Sequence, residues 1–303
     1  MIARRRLLRL AAASAAAALG GVPARAGGVA PLRWRGAVLD APAAITLHGT
    51  SERAEAALAS AVAALRRAES VFALHDSASA LARLNRTGRL ARAPDDLLAA
   101  LRLAGEVHAA TAGRFEPTVQ PLWRALAEGR DPDPALALVG WDGVRAAEES
   151  VTLGPGQALT LNGMAQGWAA DRAAEALAAH GFERALVDAG EFRALGGPWR
   201  LGVVDPRAGL MGWRGVAGAA VATSSPGALR LPGGAGHILD PARGAARARW
   251  STVTVEAPSA ALADAASTAF CLIGAKAIRE AAARLGLSRV LAVDARGDLS
   301  TLV

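Results

Sequence analysis

The stretch Leu161-Asn-Gly-Met-Ala-Gln-Gly-Trp-Ala-Ala-Asp-Arg172 decides the reading of this chain. It joins extended sequence, read as a strand pair over 151–161, to a helix that starts after Asn162, reaches His180 and is stopped by Gly181. Gly163 and Gly167 stand four residues apart where that helix begins. Small residues there let another backbone or a ligand come close, and a helix start offers free N–H groups to phosphate. Tight helix-on-helix packing accounts for the same glycines.

Working outward, strands are predicted near 184–188, 200–204 and 217–223, and the Gly/Pro-rich run 224–249 reads as irregular. A strand at 251–256 leads through Pro258 into a helix from Ala260 to Ile273. A second helix over Ala275–Leu285 and a strand at 289–293 follow. Upstream, residues 33–48 read as strands broken at Pro42, and Ser51–Ser70 as a helix capped by Thr50 or Ser51. Pro94 opens a helix with Asp95 and Asp96 in its first turn, which ends near Ala110 before Gly113. Residues 129–134 form a loop. Repeats, long linkers and a Gly-x-Gly-x-x-Gly between strand and helix are all missing from the sequence. The expectation is an α+β fold with mixed helices and strands in one compact unit over 30–303.

Composition narrows the function classes. The chain has 303 residues and a formal charge of +7. Its bases are arginine apart from Lys276, and tyrosine is missing, a bias that fits a genome rich in G and C. No basic cluster interleaved with aromatics suggests nucleic acid. Attraction to anionic ligands or lipid surfaces stays open. The single cysteine, Cys271, rules out an internal disulfide and a cysteine zinc site, and its apolar run reads as core.

Arg4, Arg5 and Arg6 precede Leu7, Leu8 and an alanine-rich stretch, and Ala24-Arg25-Ala26 supplies small residues for cleavage. Residues 1–26 therefore read as a signal peptide of twin-arginine type, or an ordinary arginine-rich one. No cysteine follows to carry a lipid. The expectation is a periplasmic protein starting near Gly27, without stable membrane insertion and of open oligomeric state.

Three more segments carry candidate chemistry. Thr111-Ala-Gly-Arg-Phe-Glu-Pro-Thr-Val-Gln-Pro-Leu-Trp123 suits a rigid loop beside a planar ligand, or a packed corner between helices. Gly236-His-Ile-Leu-Asp-Pro241 sets a histidine and an aspartate in irregular sequence, where His237 could serve as a base or bind an anion. Ala263-Asp-Ala-Ala-Ser-Thr268 puts Asp264 and Thr268 on one helix face. Such oxygen donors suit Mg²⁺ with phosphate oxygens completing its shell, or else simply bond to one another.

In this order, these segments and Ser79-Ala-Leu-Ala-Arg-Leu-Asn85 resemble the ApbE family of FAD:protein FMN transferases, from about Trp34 to the C-terminus. The resemblance implies FAD as substrate and Mg²⁺ held by Asp264, Thr268 and the Ala169 carbonyl. It implies FMN transfer to a Ser/Thr hydroxyl of a periplasmic or membrane-anchored flavoprotein, with AMP leaving. His237 matches the family's proposed base. Arg114, Phe115, Glu116 and Gln166 match FAD contacts, with His48 standing for the family's Met before Gly-Thr and His75 for a Tyr. Asp171 and Asp240 are read as supports for the phosphate and histidine sites. The loop's usual Asp is Glu116, a Lys or Glu is Gln166, the following Tyr is Trp168, and Thr-Ser-Gly is Thr223-Ser224-Ser225. His48 and His75 also read as ordinary surface histidines. FAD hydrolysis, or FAD binding and assembly without catalysis, are the competing functions.

Overall fold

The computed structural model describes residues 30–49, 51–245 and 248–303. The expected signal peptide and the expected Thr50 cap lie outside the described residues. Two strands open the fold, β1 (Leu32–Val38) and β2 (Ala41–Leu47). The long helix α1 (Ser51–Phe72), α2 (Ala80–Thr87), β3 (Arg89–Ala91) and α3 (Asp95–Ala110) follow. A 3-10 turn at Pro117–Val119 leads to α4 (Gln120–Ala127) and α5 (Asp133–Leu136), then β4 (Arg145–Ala146) and β5 (Ser150–Thr152). Next come α6 (Ala165–Ala179), β6 (Ala185–Asp188), β7 (Phe192–Leu195), β8 (Trp199–Asp205), β9 (Gly209–Val216) and β10 (Ala220–Ser224). The chain closes with β11 (Thr252–Ala257), α7 (Ala260–Phe270), α8 (Ala275–Leu285), β12 (Arg289–Val293) and β13 (Leu299–Thr301).

Eight strands form one antiparallel sheet in the order β1-β2-β6-β7-β10-β11-β12-β13. The first break falls at Leu39-Asp40, not at Pro42. Val38 pairs with Ala41, so these two residues form a two-residue hairpin loop with φ of 50° and 64°, the left-handed pair such a tight loop needs. Pro42 is tolerated inside β2 because β6 reaches only as far as Ala44 and asks no N–H of it. The expected strand pair over 151–161 is only the short β5, paired with β3 and β4. Residues 153–161 instead turn at Pro155-Gly156 and lead, outside any strand, toward α6, clamped by Asn85: its Nδ2 donates to the Leu159 carbonyl at 2.8 Å and its Oδ1 accepts from the Leu159 N–H at 2.7 Å.

Helices α1, α6 and α7 cover one face of the sheet. α6 is buried around most of its surface by alanines such as Ala169, Ala170, Ala173 and Ala174, so it packs closely on both α1 and α7. A Cβ at Gly167 would overlap the Ala260 carbonyl, which fixes the crossing of α6 with the start of α7. The expected strand at 200–204 is β8, but it pairs only with β9. This hairpin leaves the sheet between its neighbours β7 and β10. Leu201 and Val216 pack on Leu186, Ala194 and Val221, across the sheet from the helices. The fold is three layers: helices, sheet and hairpin.

Candidate active site

Crossing at Gly167, α6 and α7 bring together groups far apart in sequence. The Gly167 N–H donates to Asp264 Oδ2 at 3.3 Å, a contact between residues 97 apart. Four residues earlier, a Cβ at Gly163 would sit 3.0 Å from Thr268 Oγ1 and 3.4 Å from the Phe115 ring. Asp264 and Thr268 therefore face the turn 163–167, as their spacing on one helix face requires. Ser224, ending β10, reaches the same place: its Oγ lies 2.7 Å from Ser267 Oγ and 3.3 Å from Thr268 Oγ1.

Asp264 is buried, and burial drives its carboxyl from 3.8 up to about 7, against the Gly167 hydrogen bond and with Asp171 adding to the rise. Glu191 is a neighbouring carboxyl that sequence reasoning missed. Burial, then the charge of Asp264, push it well up, and its Oε2 accepts the Thr223 N–H at 2.9 Å. Burial raises Asp188 as well. Gln166 extends over Gly190, within 2.7 Å of where a Cβ would stand. Glu191 lies in the turn between β6 and β7, beside Gly190 and close to Asp188, where an acid reads as an ordinary turn residue, so nothing in the sequence marked it.

Asp264 and Thr268 offer hard oxygen donors, and the turn they face includes the backbone oxygen of Gly163. Among the described residues, the Gly163 carbonyl accepts no backbone hydrogen bond, whereas those of Leu161 and Met164 do. Ala169 does not fit the carbonyl role expected of it. It lies inside α6, fully buried in the core, where a carbonyl is taken by the N–H four residues on. No group of three or more His, Cys, Asp or Glu side chains fit for a metal exists among the described residues. The donor set thus suits a cation whose shell a substrate's phosphates complete.

The Gly-Arg-Phe-Glu loop is built from inside. Thr111 Oγ1 accepts the Phe115 N–H, and His108 Nδ1 lies 3.0 Å from the Phe115 carbonyl. Glu116, expected to contact ligand, is instead buried as the cap of the 3-10 turn: its Oε1 accepts from the Thr118 N–H and hydroxyl at 3.0 and 2.7 Å. Its other oxygen lies 3.4 Å from His108 Nδ1. Phe115 is buried beside Gly163. Arg114 reaches out of the loop to Asp240, Nη1 to Oδ1 at 2.7 Å, so the Thr111–Trp123 and Gly236–Pro241 segments are joined by an ion pair. That pair steadies the loop carrying His237, whose Nδ1 lies 3.3 Å from the Leu229 carbonyl. Burial lowers the His237 pKa from 6.5, with the Leu229 and Pro226 carbonyls opposing. With Nδ1–H donating to Leu229, Nε2 is left to accept a proton.

Asp171 also differs from expectation. Its two oxygens accept the Ala260 and Ala261 N–H groups at 2.8 and 2.9 Å, and Arg193 stands 3.4 Å away. It holds the start of the helix that carries Asp264, rather than facing a ligand. His48 is not gathered either. It follows β2 at the Ala185 end of the sheet, bonded to Arg184 and tilted on Trp199 at 5.5 Å. Burial and then Arg184 and Arg33 lower its pKa. Asp188 and Ser224 lie at the other end, where the β1–β2 turn also lies. His75 pairs with Asp40 of that turn at 2.8 Å, both half exposed. Cys271 is buried, as its sequence context implies, and burial raises its thiol.

A search of curated protein sequences gave no match. Among solved structures, the chain resembles the flavin transferase ApbE from Vibrio cholerae in a mutant form, at TM-score 0.75 and 20% identity over 90% of this chain and 97% of that one. An ApbE protein from Thermotoga maritima superposes at TM-score 0.80 and 24% identity, covering 89% and 96%. The apo flavinyl transferase ApbE from Pseudomonas stutzeri superposes at TM-score 0.77 and 22% identity, covering 89% and 94%. These likenesses establish the fold. The sequence matches the ApbE family over residues 39–291. With the match covering most of its length, the chain belongs to the ApbE family.

Proposed function

We propose that this protein transfers FMN from FAD to a Ser or Thr hydroxyl of a flavoprotein, releasing AMP, with Mg²⁺ at Asp264, Thr268 and the Gly163 carbonyl. The observation that carries the reading is the approach of Asp264 and Thr268 to the 163–167 turn. It sets two oxygen donors against a turn whose glycines let α6 and α7 come close. A cation held there would offset the charge of the pyrophosphate. Gln166 and Phe115 border the same turn. The acceptor oxygen forms a bond to the phosphorus of the FMN half as the bond to the AMP oxygen breaks. The hydroxyl proton passes to His237 Nε2, kept neutral by burial. The N-terminal sequence, rather than the fold, supports action in the periplasm on an exported or membrane-anchored acceptor. No helix among the described residues is long and apolar enough to cross a membrane.

The test is the intact mass of an acceptor domain incubated with the protein, FAD and Mg²⁺. A metal-dependent gain of one FMN with release of AMP is expected, lost in Asp264→Ala and slowed in His237→Ala, where FAD binding persists. Consumption of FAD without a gain in mass would make the protein a hydrolase, and FAD bound unchanged would make it a binding protein.

A further inference from the structure

The β8–β9 hairpin has two faces. Leu201, Val203, Asp205 and Val216 turn inward onto the sheet. On the outward face, register sets Arg200 opposite Gly215, Gly202 opposite Trp213 and Val204 opposite Leu210. A Cβ at Gly202 would lie 3.1 Å from Leu210 and 3.5 Å from Trp213, so these two side chains close over the glycine as one apolar patch. Leu210 is 53% exposed, more than any other large hydrophobic among the described residues. The Arg200 guanidinium stacks on Trp213, 4.4 Å from the ring centre.

Charge on the hairpin has one sign. Its basic residues are Arg200, Arg207 and Arg214, and Arg200 and Arg207 form no ion pair with any described residue. Its one acid, Asp205, is buried and fully engaged. The Ser251 and Thr252 hydroxyls each donate to it at 2.6 Å, and the Arg207 and Ala208 N–H groups donate to its other oxygen. Burial would raise this carboxyl, but those bonds bring it below the usual value, so Asp205 is ionised with both oxygens turned to inward donors and not to Arg200 or Arg207. A Trp–Leu patch ringed by unpaired arginines combines the aromatic and basic groups that settle at the headgroup level of a membrane.

We propose that the outward face of this hairpin docks on an anionic lipid bilayer, with Trp213 and Leu210 at the headgroup level and Arg200 and Arg207 on lipid phosphates. Contact is peripheral and reversible, since the patch is small and no segment of it spans. It needs no lipid anchor and is independent of the chemistry at Asp264.

The experiment is co-sedimentation of the exported form, lacking residues 1–26, with vesicles of phosphatidylglycerol and phosphatidylcholine, or of phosphatidylcholine alone, at low ionic strength. Binding to the anionic vesicles only is expected, weakened by added salt. At about fivefold per arginine, Arg200→Gln with Arg207→Gln lowers partitioning roughly 30-fold, and Leu210→Ser lowers it several-fold. Flavin transfer to a soluble acceptor domain stays unchanged in both, which shows that the variants fold; Arg207→Gln alone serves if the double variant does not. Failure of the parent to sediment with anionic vesicles overturns the proposal, as does equal sedimentation of parent and double variant. Loss of transfer to the soluble acceptor with vesicle binding intact overturns it too, and makes this face a protein-docking surface.

Discussion

Removing the charge of Asp264 should stabilise the metal-free fold while ending its function. The folded carboxyl sits at about 7 against 3.8 for the free group. Each unit is worth about 1.4 kcal/mol, so holding the carboxylate ionised above pH 7 costs the fold about 4 kcal/mol. A carboxyl raised in the folded state holds its proton there while the unfolded chain has lost it, so stability falls as pH rises from 3.8 to about 7. Asp264→Asn is neutral at every pH, and its side-chain oxygen still accepts from Gly167. In chelator at pH 8 the variant should melt about 10 °C above the parent, given roughly 2–4 °C per kcal/mol for a domain of this size. At pH 5 the folded parent has already taken up the proton, and the gap should shrink to less than half. Thermal unfolding in chelator at the two pH values measures both quantities. A variant no more stable than the parent at pH 8, or a gap that does not shrink with acid, would refute the picture of a buried, uncompensated carboxylate.

Gly167→Ala places a methyl group on the Ala260 carbonyl and should cost about 3 kcal/mol or more, read from urea unfolding, with flavin transfer lost in whatever fraction still folds. Asn85→Ala leaves both polar groups of buried Leu159 without partners and should cost about 2–3 kcal/mol, again by denaturant titration. His237 is held below its ordinary 6.5, so it stays neutral as pH drops to that value. At saturating Mg²⁺, the acid limb of kcat/KM for transfer should therefore lie below pH 6.5 and vanish in His237→Gln; a limb above 6.5 that survives the substitution would assign it to another group.

Much of the fold was legible because local rules and tertiary context agree. The helix over Ala275–Leu285 carries Ile278, Ala281 and Ala282 inward at helical spacing and stops at Gly286, which is left-handed. β12 was as clear, its apolar run Val290–Val293 wholly buried. β8 was found as a strand but not as part of a separate hairpin, since alternation marks a half-buried strand without saying on which sheet it lies. Its partner β9 was hidden by Gly209, Gly212 and Gly215, which weaken any strand signal. At the site, Asp264 and Thr268 share a face because helical spacing alone decides it. Which carbonyls are free could not be found that way: only the helix start at Ala165 separates the Gly163 carbonyl, which takes no backbone hydrogen bond among the described residues, from that of Ala169 inside the helix. Glu116, read as an FAD contact, and Asp171, read as a support for the phosphate site, each serve backbone N–H groups, a use that depends on which chain end comes to meet it.

The crossing at Gly167 has a thermodynamic consequence. In the unfolded chain the groups that meet there belong to segments separated by 97 residues and have no shared affinity for anything. Whatever binds between them binds only the folded chain, so its binding energy adds to the stability of the fold by mass action, about 2.7 kcal/mol at a hundred times its dissociation constant. FAD and Mg²⁺, bound there as proposed, would act as a folding ligand, and the melting temperature of this protein would become a titration of its own site.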